Sequence, residues 1–134
     1  MYSTPKTNWT KDDYINIDDY NRIKNNLAHL KTLSLELYMS YSTDDMGSDA
    51  TYSGLPYADM INKLELNLER IATNTYKPNI GATRTFSDYG TFITFTELNR
   101  IETAILNIYN NLTGEKRGRQ SLSFKLGTKR WGVI

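Results

Sequence analysis

The sequence predicts a mainly α-helical protein of three principal helices, over about residues 17–39, 56–73 and 95–112, with long loops and a small C-terminal β-hairpin. Three observations lead there. A helix-start segment is repeated along the chain, three narrow apolar stripes follow it at helical spacing, and the period changes to two only after Gly114.

The repeat is found by sliding the sequence on itself. At an offset of 78 residues, Tyr14-Ile-Asn-Ile-Asp-Asp-Tyr-Asn-Arg-Ile23 meets Phe92-Ile-Thr-Phe-Thr-Glu-Leu-Asn-Arg-Ile101. Asn21-Arg22-Ile23 then falls on Asn99-Arg100-Ile101. An offset of 41 finds a weaker copy, with Asn62 on Asn21 and Asn67-Leu68 on Asn26-Leu27. The chemistry is that of a helix N-terminus. Thr94 and Glu97 have the spacing of a capping box, with Ile93 and Leu98 placed as its hydrophobic staple. Asn16 and Asp19 repeat the box, with Ile15 and Tyr20 as staple, and both copies put acids where the helix dipole favours them.

Each element follows in order. Residues 1–13 are polar, with Pro5 and Trp9, and read as an extended N-terminal arm whose tryptophan should dock on the domain or on a neighbour. Residues 14–112 form the helical domain. The first helix carries Tyr20, Ile23, Leu27, Leu30 and Leu37, a stripe interrupted at Ser34. Residues 40–55 are a loop by composition, longer than compact domains usually contain. Pro56 suits the start of the second helix, whose stripe is Tyr57, Ile61, Leu64, Leu68 and Ile71. Residues 74–90 form another long link, broken by Pro78, Gly81 and Gly90. The third helix has Leu98, Ile101, Ile105, Ile108 and Leu112 spaced three and four apart, and Gly114 is placed to stop it. Residues 113–134 form a basic tail. There Leu122, Phe124 and Leu126 alternate with polar residues as a strand, 127–130 makes a turn, and 131–134 returns. The stripes fit a bundle within one chain or helices zipped between subunits, and the pattern alone leaves both open.

Composition narrows the function classes. At 134 residues the chain makes one modest domain, and without cysteine it has neither disulfides nor a thiolate metal site. It has no membrane-span-length apolar run and no charged-then-apolar signal segment, so a soluble protein made without a Sec-type signal is expected. Ten tyrosines supply rings with polar tips, suited to interfaces. The net charge of +1 is unevenly spread: residues 113–134 carry +5 and the first 112 carry −4. Such a chain is suited to pairing with its own kind or with an acidic partner.

Catalytic and cofactor chemistry finds little purchase. Adjacent carboxylates (Asp12-Asp13, Asp18-Asp19, Asp44-Asp45) point apart rather than facing across a bond. Asp44-Asp45-Met-Gly-Ser-Asp49 lacks the full alternation and closing glutamate of a calcium loop. His29 has no nucleophile or second histidine at a telling distance, and Gly114-Glu-Lys-Arg-Gly118 lacks the context of a phosphate loop. No enzyme activity, cofactor or metal is therefore expected. The candidate partner-binding residues are Trp9 in the arm and Lys116, Arg117, Arg119, Lys129, Arg130 and Trp131 in the tail. Basic residues interleaved with Phe124 and Trp131 have a nucleic-acid-binding counterpart, but the acidic body argues against it.

The segment Trp9-Thr-Lys-Asp-Asp-Tyr-Ile-Asn-Ile-Asp-Asp-Tyr-Asn-Arg-Ile-Lys-Asn-Asn-Leu27 resembles one that recurs in virion structural proteins of phages and prophages of Gram-positive bacteria, chiefly tail, baseplate and fibre components. Phe92-Ile-Thr-Phe-Thr-Glu-Leu-Asn-Arg-Ile-Glu102 resembles it at least as well. The likeness covers some thirty residues in two places, and Lys24 departs from it where the pattern prefers glutamate. It implies a non-enzymatic subunit of the virion tail region, synthesised in the bacterial host cytoplasm. Its partners would be copies of itself and other phage tail proteins. Two alternatives remain at this point: recognition of host cell-wall saccharide by the tyrosine-rich loops 40–57 or 74–92, and a small nucleic-acid-binding protein.

Overall fold

The computed structural model describes residues 2–51, 56–87 and 93–133, the stretch 121–133 as backbone alone. It has three helices: α1 (Ile17–Leu35), α2 (Ala58–Thr73) and α3 (Phe95–Val133). They share one core, built from Ile23, Leu27 and Leu30 of α1, Ile61, Leu64 and Leu68 of α2, and Ile101, Ile105 and Ile108 of α3. All nine are buried to within 2 % of complete. The apolar stripes thus close within one chain.

The local signals explain the start of α1. Asn16 accepts from the Asp19 N–H at 2.9 Å and Asp19 accepts from the Asn16 N–H at 3.1 Å, the expected capping box. Ile15 and Tyr20 are both buried beside it. In α3 the first turn is closed by Leu98 N–H donating to the Thr94 carbonyl at 3.0 Å, while the Glu97 carboxylate accepts from Arg100 at 2.8 Å.

Three expectations are corrected. α2 begins at Ala58, and Tyr57, expected in its apolar stripe, is the residue before it and 63 % exposed. α1 ends at Leu35, not near Met39, because the Ser34 hydroxyl turns to the Lys31 carbonyl and to Tyr41 Oη (2.7 and 2.6 Å) while Glu36 N–H bonds back only three residues, to Leu33. The C-terminal β-hairpin is absent: α3 passes through Gly114 and Gly118 and remains helical to Val133. A helical glycine costs only about 1 kcal/mol against alanine, and no proline follows Pro78 to break the run. Among the described residues there is no strand. Ile134, the last residue of the expected return strand, lies outside the described residues, as do Phe92 and Gly90.

The three helices run parallel. Arg22 meets Glu102 near the starts of α1 and α3, and Glu36 meets Lys116 near the end of α1. Residues 83–86 run back along α2, with Thr83 bonding Glu69, Arg84 bonding Glu65 and Phe86 bonding Asn62, so α3 begins where α2 began. Parallel neighbours cannot be joined by a short turn. The sixteen residues of α2 rise about 24 Å, which the chain must retrace before the next helix starts. That is the reason for the long links 36–57 and 74–94. After the turns that end α1 and α2, part of each link runs back along a helix. Asp44 and Ala50 are held on α2 and α1 and residues 83–86 on α2, and the N-terminal arm is held in the same way on α1 and α3.

Candidate functional site

The repeated Asn-Arg of the helix starts is a fastening device. Asn99 Oδ1 accepts from the Trp9 N–H at 2.8 Å and its Nδ2 donates to the Trp9 carbonyl at 2.9 Å. The amide thereby satisfies both backbone groups of one extended residue, as a neighbouring β-strand would. Asn21 does the same to Ala50 and Asn62 to Phe86. A second set lies five residues further along: Asn26 holds Ser3, and Asn67 holds Asp44. The arm and the link before α2 are therefore each pinned twice, six residues apart, first on the helix the segment leads into and then on the preceding one. The link before α3 has only the second of these pins, at Phe86. For the arm, which precedes α1, that other helix is α3. The ring closes with pseudo-threefold symmetry.

One position of the repeat carries the buried charge. Lys24, Glu65 and Glu102 are equivalent and are 5 %, 3 % and 0 % exposed. Glu102 accepts from Arg22 Nε and Nη2 (3.0 and 2.8 Å), from the Lys6 N–H (3.0 Å) and from the Trp9 indole N–H (2.5 Å). Glu65 accepts from Arg100 and from the Arg84 N–H at 2.9 Å. Burial alone would lower the Arg22 and Arg100 pKa values; their carboxylate partners outweigh it and hold both guanidiniums above their ordinary value. In the third interface Lys24 inverts the chemistry, donating to the Gly47 carbonyl at 3.0 Å and pairing with Asp49 at 2.7 Å. Hydrogen bonding to Lys24 keeps the Asp49 carboxyl below its ordinary value.

The predicted partner-binding residues divide by location. Trp9 is turned inward, 3 % exposed, with Lys6 Nζ 4.3 Å from its ring centroid. Lys116 pairs with Glu36 at 2.7 Å. Arg119 bonds Glu115 at 2.7 Å and the Leu37 carbonyl at 2.8 Å, and Arg117 is exposed. These three share the first turns of α3 beyond Leu112, far along the chain from Trp9. Lys129, Arg130 and Trp131 lie further along the same helix, and their side chains fall outside the described residues. The acids of the loop once compared with a calcium site are separately engaged: Asp44 by Arg70, Asp45 by the Gly47 N–H, and Asp49 by Lys24. Among the described residues no cluster of His, Asp and Glu is arranged to hold a metal, and no helix is long and apolar enough to cross a membrane.

Sequence reading missed the asparagine fasteners and the buried glutamates. Their signal was present, since the offsets that revealed the repeat superimpose Asn21, Asn62 and Asn99. No protein-family model, curated protein or solved structure matches this chain.

Proposed function

We propose that the protein is a non-enzymatic structural subunit of a phage tail or baseplate, making assembly contacts with copies of itself and with other tail proteins. It would be synthesised in the bacterial host cytoplasm and reside in the tail region of the virion. The observation that carries this reading is the length of α3. The shared core ends at Leu112, yet the helix continues to Val133, some 30 Å further, through Lys116, Arg117, Arg119, Lys125, Lys129 and Arg130. Most helical stability in proteins comes from packing rather than from propensity, so a helical stretch that runs on past the shared core gains by packing against something. The rest of the chain is acidic, so another copy offers a complementary surface. The resemblance of the Trp9–Leu27 segment to virion proteins points the same way.

The test is the mass in solution, by light scattering over a concentration series, of the full chain and of one ending at Leu112. The full chain should form a defined oligomer and the shortened chain a helical monomer. A full chain that stays monomeric at all concentrations would remove the self-assembly reading. A second reading, recognition of cell-wall saccharide, draws on the exposed rings of Tyr14 and Tyr57, 78 % and 63 % accessible. Saturable change of tryptophan fluorescence on titration with saccharide would favour it.

A further inference from the structure

The exposed apolar side chains are divided between the two ends of the bundle. Tyr14, Tyr57 and Phe95 are exposed, and each belongs to a different repeat. Tyr14 stands two residues before the Asn16 cap, Tyr57 is the cap of α2, and Phe95 is the first residue of α3. Because the helices run parallel, these three rings share the end where the helices start. Leu35, Met39 and Tyr76 are exposed at the opposite end, on or just past the last turns of α1 and α2, Met39 at 89 %. Of the large apolar side chains exposed among the described residues, Leu66 is the one on the flank. Charge divides as well. In the first turns and just before them, Asp12, Asp18 and Asp59 are exposed and form no ion pair among the described residues, against Lys11. At the other end Glu36 and Glu115 are each taken up by a cation of α3, while Arg117 and Lys77 form no ion pair among the described residues.

We propose that copies of this chain meet end to end, the C-terminal end of one, with its α3 extension, receiving the N-terminal end of the next. The inference rests on the self-assembly proposed above and names the two surfaces that meet. Tyr14, Tyr57 and Phe95 then bury against Leu35, Met39 and Tyr76, and aromatic rings and methionine are what interface centres favour. Like ends would set acids on acids or cations on cations, whereas unlike ends pair them. The extension starts at the receiving end and runs some 30 Å past the core, so it lies along the flank of the copy seated there. That sets a segment of charge +5 against a body of charge −4. A contact between unlike surfaces closes into a ring or continues as a filament, according to its rotation. The defined oligomer expected of the full chain is the closed case.

The experiment uses two full-length variants, each disabled at one end. Tyr14→Ser with Tyr57→Ser strips two rings from the N-terminal end, and Met39→Ser with Arg117→Glu disables the other. All four positions are exposed, so both circular dichroism spectra should match that of the unmodified chain. By light scattering, each variant alone should need at least about tenfold more protein to associate. Mixed in equal amounts, the two should form a one-to-one dimer through their intact ends. If either double variant fails to fold, Tyr14→Ser or Arg117→Glu alone takes its place with the same expected direction. Undiminished association by the folded Tyr14→Ser, Tyr57→Ser protein overturns the end-to-end contact and leaves self-assembly standing, and so does a mixture that stays monomeric. A full chain that is itself monomeric at every concentration removes both.

Discussion

The α1–α3 and α1–α2 interfaces are built on one pattern and stabilised by opposite chemistry. Both fasten an extended segment with a pair of asparagines. At the buried charged position, the first has Glu102, fully enclosed, accepting from an arginine, an indole and a backbone amide. The second has Lys24, whose partner Asp49 is 56 % exposed. The comparison teaches that the fasteners define the repeat, while the charge between them is free to change sign if the extended segment supplies the complement. A carboxylate there needs backbone N–H groups, and an ammonium needs a carbonyl such as that of Gly47.

The first way to break the comparison is to remove each charge. Glu102→Ala removes one of the two carboxylate partners of Arg22, leaving Asp19, and takes the acceptor from the Trp9 indole and the Lys6 N–H. Loss of one partner from a buried pair costs about 3–5 kcal/mol. Lys24→Met should cost about 1 kcal/mol, since its partner is largely solvated and the stem volume is kept. Urea denaturation would show the difference as a much larger fall in midpoint for Glu102→Ala. Equal losses would mean that the two interfaces are not energetically distinct.

The fasteners should matter alike in every repeat. Asn62→Ala strips both backbone partners from Phe86, and Asn99→Ala strips both from Trp9, for a loss of about 2–3 kcal/mol each. Asn62→Asp retains the acceptor for the Phe86 N–H but sets a carboxylate against its carbonyl, so it should recover little of that loss. A loss below about 0.5 kcal/mol at either site would sink the claim that these amides pin the links.

How much of this was legible follows from the range of each interaction. The helix starts were readable because capping box and staple lie within a few residues of one another, and the stripes because their period is local. The parallel arrangement was not, for a stripe of Ile61, Leu64 and Leu68 looks the same whichever way its neighbours run. Its trace was the length of the links, which reads as loop until the need to retrace a helix is known. Asn21 and Asn99 were aligned but taken as part of a helix start. Their partners, Ala50 and Trp9, are 29 and 90 positions away. The tail was misread because Leu122, Phe124 and Leu126 give too short an alternation to outweigh a helix already under way.

A gentler probe of the α1–α3 groove uses pH. The Tyr2 phenol is pushed up to about 12 from 10.0, by burial first and then by Tyr109 and Glu102. The unfolded chain therefore ionises at this residue before the folded one does. The corresponding stability is fully present below about pH 10 and is lost as pH rises towards about 12. Tyr38, Tyr41 and Tyr76 are shifted the same way, so the test is a difference. Tyr2→Phe should show a shallower fall in urea midpoint between pH 9.5 and 11.5 than the unmodified chain. It should also be no less stable at pH 7, because the buried Tyr2 hydroxyl has no hydrogen-bond partner among the described residues. Identical slopes would show that this ring is solvated in the folded state.

The smallest expected effect is a gain, at the one place where the fastener pattern lapses. Under the repeat, Asn26 and Asn67 have Ala104 as their counterpart on α3, 7 % exposed, and the residue it would hold is Ile80. The Ile80 carbonyl is instead met by Arg100 Nη1 at 3.2 Å. The detour is visible in the backbone: Gly81 has φ +79°, and a Cβ there would lie 2.5 Å from Arg100 Cδ. A cavity of about 370 Å³, with Ile80, Gly81, Thr103 and Ala104 in its lining, leaves room for a larger side chain. Ala104→Asn supplies the missing amide within reach of that cavity. If the pattern is what holds each link to its helix, the variant should gain about 1 kcal/mol, a rise in Tm of about 4 °C. The gain should vanish on adding Ile80→Pro, which removes the N–H the new amide would accept from. A fall in Tm for Ala104→Asn alone would mean that this link follows its own path because Arg100, already committed to Glu65, fixes it there, and that the third repeat is fastened by charge rather than by amide.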